Sequence, residues 1–300
     1  MNHPIRYVDE GTVVAVSYES RGRQDCLLRM RNGAFRMRHL LRLPKKNHPQ
    51  VSEIIDRVQK QLNRLQLPSI ARIETHYSAG RLGYYLFTTA FPQATFDLQS
   101  LSNNYVVDDP LQYSLQLGQQ LQVAAQTKLF HHSLSPSALY RYGDNQILLF
   151  GLGVPALGLS TNIFTAPEVV NGQRVNEVAM VYSLGMMLFA LHGGCFILGG
   201  DDPKRSFNQP LLEGEELNAH PAIKQFIHDS TRLRVNRRIQ TLQAFNSQLA
   251  LIIEDQHQAT LSIRSRLRHL KTQVKAALQP TKQPSGPIIG KHLIPAHLID

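Results

Sequence analysis

Of the side chains that could do chemistry, the imidazoles and thiols come first. Thirteen His and two Cys are spread over 300 residues. His131 and His132 are adjacent, and chain neighbours point apart, so they do not converge on one ion. No set of His, Asp and Glu has the spacing of a zinc site, and no C-x-x-C occurs. No metal site is expected. Cys26 and Cys195 are too few for a disulfide framework and suit a reducing, cytoplasmic compartment. The second chemistry is charge. Lys and Arg total 32 against 22 Asp and Glu, a net charge of +10. Nine basic residues (Arg21, Arg23, Arg29, Arg31, Arg36, Arg38, Arg42, Lys45, Lys46) lie between Ser20 and Lys46 with one acid, Asp25. Residues 257–300 hold seven more, Arg264, Arg266, Arg268, Lys271, Lys275, Lys282 and Lys291, against Asp300. Such clusters suit an acidic protein, RNA or lipid head groups, or simply a solvated face. With no interleaved surface aromatics and no RNA motif, the solvated face or a protein partner is favoured over nucleic acid.

The elements that must carry these groups can be read from patterning. A 300-residue chain with 42% apolar residues has room for one large domain or two lobes, and is not a wholly disordered chain. Met1–Glu10 has charges and no apolar run, so it is not read as a secretory leader. Val178 to Gly200 has no formally charged side chain, but Gly193-Gly194 break it after Leu191. The uninterrupted piece is about 21 Å long as a helix, short of the roughly 30 Å bilayer core. It is expected to be a buried helix, and no transmembrane span is expected. Strands are expected over Gly11–Glu19, Gln24–Arg31, Ala34–Leu41, Ala71–Thr75 and Leu82–Thr89, with an Asn32-Gly33 hairpin between the second and third. Val51, Ile54, Ile55, Val58, Leu62 and Leu65 predict a helix over Gln50–Leu65. Asp109-Pro110 is a helix start, continued over Leu111–Phe130. Short strands over Ala138–Tyr142 and Gln146–Phe150 flank an Asp144-Asn145 turn. Helices are expected over Val178–Leu191, Ala222–Asp229 and Ile239–Ile253. A basic helix over Leu261–Leu278 follows, then a tail with Pro and Gly. That last helix either packs back on the rest or docks another chain.

Five segments, in order and with fitting gaps, carry a resemblance. His131-His132-Ser133-Leu134-Ser135-Pro136-Ser137-Ala138 looks like a catalytic loop H-R-D-L-K-P-x-N. Ile147-Leu148-Leu149-Phe150-Gly151-Leu152 looks like a strand ending in D-F-G-L. Ser160 to Glu168 (STNIFTAPE) resembles G-T-x-x-Y-x-A-P-E. Val181-Tyr182-Ser183-Leu184-Gly185 matches D-V-Y-S-L-G, and Arg238 falls at the arginine of D-P-x-x-R-P. Over residues 11–255 the chain therefore resembles the protein-kinase superfamily of the Ser/Thr type, in a degenerate, pseudokinase form. The resemblance implies an α+β, bilobal kinase-like fold. Residues 1–90 would be a small β-rich N-lobe and 91–255 a larger helical C-lobe. Residues 256–300 would add a basic helix and tail.

The departures decide the expected function, because phosphoryl transfer uses few chemical parts. By this resemblance Ser133 replaces the catalytic-loop Asp, and a serine is no useful base near neutral pH. Ser135 replaces the loop Lys. Ala138 replaces the metal-holding Asn and Leu149 the D-F-G Asp, so neither offers the oxygen that magnesium needs. Arg38 replaces the Lys of the third strand, keeping charge but not geometry. Arg36, two residues earlier, would face the adenine pocket beside it, unless both face solvent on an ordinary basic strand. The helix Glu falls near Val58, with Asp56 the closest acid. Gly22 alone remains of the glycine-rich loop, too little for a close phosphate cradle. What is kept is architectural: the Glu168–Arg238 ion pair, His131 and Phe150 of the apolar column between lobes, and the buried Val178–Leu191 helix, with Met180 at its usual Asp. Thr161 and Thr165 sit on motif positions, so Ser160, Thr161 and Thr165 give weak support to a phosphosite.

The expectation is a pseudokinase that binds no cofactor and acts as a protein-binding scaffold or allosteric regulator, not as an enzyme. A residual or atypical nucleotide-dependent kinase or transferase is the alternative. A basic docking module for an anionic partner, such as a peripheral contact with an anionic surface, is the second.

Overall fold

The structure, a computed structural model, describes residues 11–19, 23–79, 84–91, 109–132, 134–135, 138–142, 146–154, 163–192 and 219–277. Five strands form an antiparallel sheet: β1 (Thr12–Glu19), β2 (Arg23–Arg29), β3 (Phe35–Arg42), β4 (Ile73–Ala79) and β5 (Tyr84–Phe91). Their order is β1-β2-β3-β5-β4. The Asn32-Gly33 hairpin forms as expected. Gly33 takes φ +83°, its N–H donates to Met30 O at 2.9 Å, and Asn32 Oδ1 accepts from Ala34 N. β3 differs from the alternating strand its sequence suggests. Met37 through Leu41 are all buried, because β3 lies centrally, between β2 and β5, and is covered on both faces.

Helix α1 (His48–Leu65) begins two residues before its expected start, where Pro49 follows a 3-10 turn over Lys45–Asn47. Its buried stripe of Val51, Ile55, Val58 and Leu62 packs with Leu41, Ile73, Tyr85 and Phe87 of the sheet. Helix α2 (Pro110–Gln126) is capped by Asp109 Oδ1, which accepts from Gln112 N at 3.0 Å. It was expected to reach Phe130 and stops four residues short. Lys128 turns left-handed at φ +59°, and its N–H donates to Ala125 O while Leu129 N–H donates to Ala124 O. That closed pattern ends the helix with lysine where glycine is usual.

β6 (Leu139–Tyr142) and β7 (Gln146–Leu149) form an antiparallel pair; the Asp144-Asn145 turn lies outside the described residues. α3 (Pro167–Val170) and α4 (Glu177–Leu191) follow. α4 is capped by Asn176 Oδ1 on Ala179 N, and every residue from Ala179 to Phe189 is buried. It is the expected all-round apolar interior helix. Among the described residues no helix is long and apolar enough to cross a membrane. α5 spans Pro221–Ser230.

The last helix corrects the sequence reading. One helix, α6 (Leu242–Ala277), replaces the two expected over Ile239–Ile253 and Leu261–Leu278. No Pro or Gly interrupts 242–277, so nothing stops it. Its start moves to Leu242 because Thr241 Oγ1 accepts from Ala244 N at 3.0 Å. By compactness the chain divides into Met1–Ile253 and Glu254–Asp300. In the first unit one continuous core joins α1, β4, β5, α2, β6, β7, α4, α5 and the start of α6.

Candidate functional site

Of the residues expected at the catalytic positions, Ser135, Ala138 and Leu149 lie where the β6–β7 pair meets the segment between α1 and β4. Ala138 N–H donates to Ser135 O, and Phe150 N–H donates to Ala138 O, both at 2.9 Å. Leu149 N–H donates to Ser69 O at 2.7 Å and Leu149 O accepts from Ala71 N–H at 2.8 Å, so the backbone ties β7 to the segment between α1 and β4. The Leu149 side chain is fully buried in the main core, and Ala138 and Ser135 are buried beside it. Ser133 lies outside the described residues. Among the described residues no three His, Cys, Asp or Glu side chains are grouped to hold a metal.

His131 and Phe150 are joined directly: His131 Nε2–H donates to Phe150 O at 2.7 Å. The carbonyl can only accept, which fixes the proton on Nε2. Next to it, Gly151 takes φ +85°, and a Cβ there would sit 3.4 Å from His131 Nε2. The Phe150 ring stands edge-on to Tyr140 at 4.8 Å and stacks with Phe91 at 6.2 Å. With Leu27, Met37, Ala71 and Leu148 these rings make a separate apolar cluster that links the sheet to β6–β7. Burial pushes the neighbouring His132 below the usual imidazole range.

On β3, Arg38 and Arg36 share one face of the sheet by alternation. Arg38 is buried, opposite Cys26 on β2 and Thr88 on β5. Its Nε donates to Cys26 Sγ at 3.2 Å. Arg36 is half-buried and forms an ion pair with Glu74 of β4, reaching across β5. Gly22 lies outside the described residues. Val58, at the expected helix-Glu position, is a buried core residue facing Gly153. Asp56 is engaged elsewhere: its Oδ1 lies 3.0 Å from His76 Nε2.

The Glu168–Arg238 pair forms as expected. Arg238 Nη1 and Nη2 donate to the two oxygens of Glu168 at 2.6 and 3.1 Å. Nη1 also donates to Val178 O, and Nε to Arg232 O, both at 3.0 Å. The guanidinium carbon lies 4.9 Å over the Tyr182 ring. Burial pushes the Tyr182 hydroxyl well above its usual value, with Arg238 opposing. Ser183 Oγ donates to Phe164 O at 2.7 Å, fastening the segment before α3 to α4.

Sequence reasoning missed a polar chain inside the sheet. His39 sets Nδ1 3.0 Å from Asp25 Oδ1 and Nε2 3.2 Å from Thr89 Oγ1. All three are buried, and the imidazole stacks on Phe87 and tilts against Phe150. The available signal was an Asp and a His in two adjacent strands predicted to pair, Asp25 just before Cys26-Leu27-Leu28 and His39 just before Leu40-Leu41.

No family model and no curated protein sequence matches the chain. Among solved structures it is similar to "Crystal structure of Rad53 1-466 in complex with AMP-PNP", with a TM-score of 0.61 and 15% identity. The match covers 79% of this chain and 64% of that one, so this chain spans under two thirds of its neighbour's length. The fold is therefore kinase-like: a five-stranded antiparallel sheet region followed by helices, in the bilobal arrangement.

Proposed function

We propose that this chain is a pseudokinase that works by binding protein, as a scaffold or an allosteric regulator, and transfers no phosphate. The observation that carries the reading is Leu149. At the position that the motif resemblance matches to a kinase's principal metal-holding carboxylate, this chain has an aliphatic side chain, sealed in the core and tied by its backbone on both sides. Ala138 at the second metal position has no ligand atom. Magnesium needs oxygen ligands, so the residues present do not fit the ion, and no catalytic step is built on it. Arg38 supports the same reading, since its guanidinium is engaged with Cys26 inside the sheet. A protein partner suits the basic surface, and the cysteine content suits the cytoplasm.

Thermal unfolding with saturating ATP, alone and with Mg²⁺ or Mn²⁺, tests the proposal. The expected melting temperature is unchanged in every arm. A ligand at a hundred times its Kd would add about 2.7 kcal/mol of stability. A metal-dependent rise, accompanied by transfer of the γ-phosphate to protein, would overturn the proposal in favour of a nucleotide-dependent kinase or transferase.

A further inference from the structure

The helical part of the unit Glu254–Asp300 carries a surface that a kinase-like body does not need. Ile263 and Leu267 are one turn apart and 57% and 55% exposed, far above the level of an interior stripe. Arg264, Arg268 and Lys271 are exposed too. At about 100° per residue, Arg264 and Lys271 fall within about 60° of Leu267 around the axis, along one border of the apolar stripe. From Gln256 to Ala277 there is no Asp or Glu, so no acid on this segment offsets that border.

We propose that this face docks on an anionic bilayer surface. Ile263 and Leu267 enter the acyl boundary, and Arg264, Arg268 and Lys271 lie at the level of the phosphate and carboxylate head groups. Charge excludes a second copy of the same helix, which would set cationic borders against each other. Nucleic acid would satisfy the cations but leave the aliphatic pair in water. A fluid bilayer takes isolated aliphatic side chains without any matching groove. The inference is independent of the pseudokinase reading and holds whichever way the nucleotide experiment falls.

The full chain is sedimented with vesicles of phosphatidylcholine alone and of phosphatidylcholine with about one third phosphatidylserine. Binding is expected only to the anionic vesicles, and raising salt should release it. Combined Arg264→Gln, Arg268→Gln and Lys271→Gln should lower partitioning on the order of a hundredfold. Ile263→Ser with Leu267→Ser should lower it at least about tenfold. Exchanging the two side chains, Ile263→Leu with Leu267→Ile, should retain it. The Ile263 and Leu267 variants should keep the parent melting temperature, since both side chains are exposed. Three results would overturn the proposal: no sedimentation with anionic vesicles at low salt, indifference to the serine pair, or stoichiometric release by soluble polyglutamate. The last would assign the face to an acidic protein.

Discussion

Arg238 makes four hydrogen bonds from the interior of the helical region, two of them to Glu168. A cation so deep is tolerable only while its carboxylate stays. Glu168→Ala removes that partner and leaves the guanidinium buried over Tyr182. The expected loss is about 3–5 kcal/mol, read from urea unfolding. Adding Arg238→Met should restore part of the loss, because the stranded charge is then gone. An unmoved midpoint in the single variant would contradict the role given to the pair. At this scale legibility depends on spacing. Glu168 and Arg238 sit seventy residues apart and were found through the motifs around them. Asp25 and His39 pair across β2 and β3 directly opposite each other, yet no motif names them. Polar residues in a predicted strand default to the solvent face, and only the covered position of β3 makes them interior.

Among elements, α4 and the end of α5 approach closely at Gly185. A Cβ at Gly185 would sit 2.6 Å from Ser230 Cβ and 2.9 Å from Thr231 Cγ2, and both of those residues are buried. Gly185→Ala should therefore lower the melting temperature by overpacking, a cost of about 1–3 kcal/mol. Helix propensity alone would favour alanine by about 1 kcal/mol, so a rise in melting temperature would show that the helices can separate. The cap of α2 and the hairpin at Gly33 were legible because each rests on neighbours in sequence. The end of α2 was not: Lys128 in a left-handed turn contradicts the usual preference for glycine. The length of α6 was hidden for another reason. Its apolar stripe changes from buried Leu242, Phe245 and Leu249 to exposed Ile263 and Leu267, and a change of environment reads in sequence as a change of element.

For the whole molecule, the order of strands and helices was legible because hydrophobic period and turn residues agree along most of the chain. Beyond the β2–β3 hairpin, the neighbours within the sheet were not, since they depend on which distant strands come together. Leu149 shows the consequence. Its two backbone hydrogen bonds to Ser69 and Ala71 sew β7 to the segment between α1 and β4. A seam of this kind leaves the joint no slack, so any displacement of β7 is passed on to the segment before β4. Deuterium uptake can time the seam: the amides of Ala71 and Leu149 should exchange only as slowly as the whole fold opens. Exchange there as fast as at the outer strand β4 would mean that the two halves breathe apart on their own.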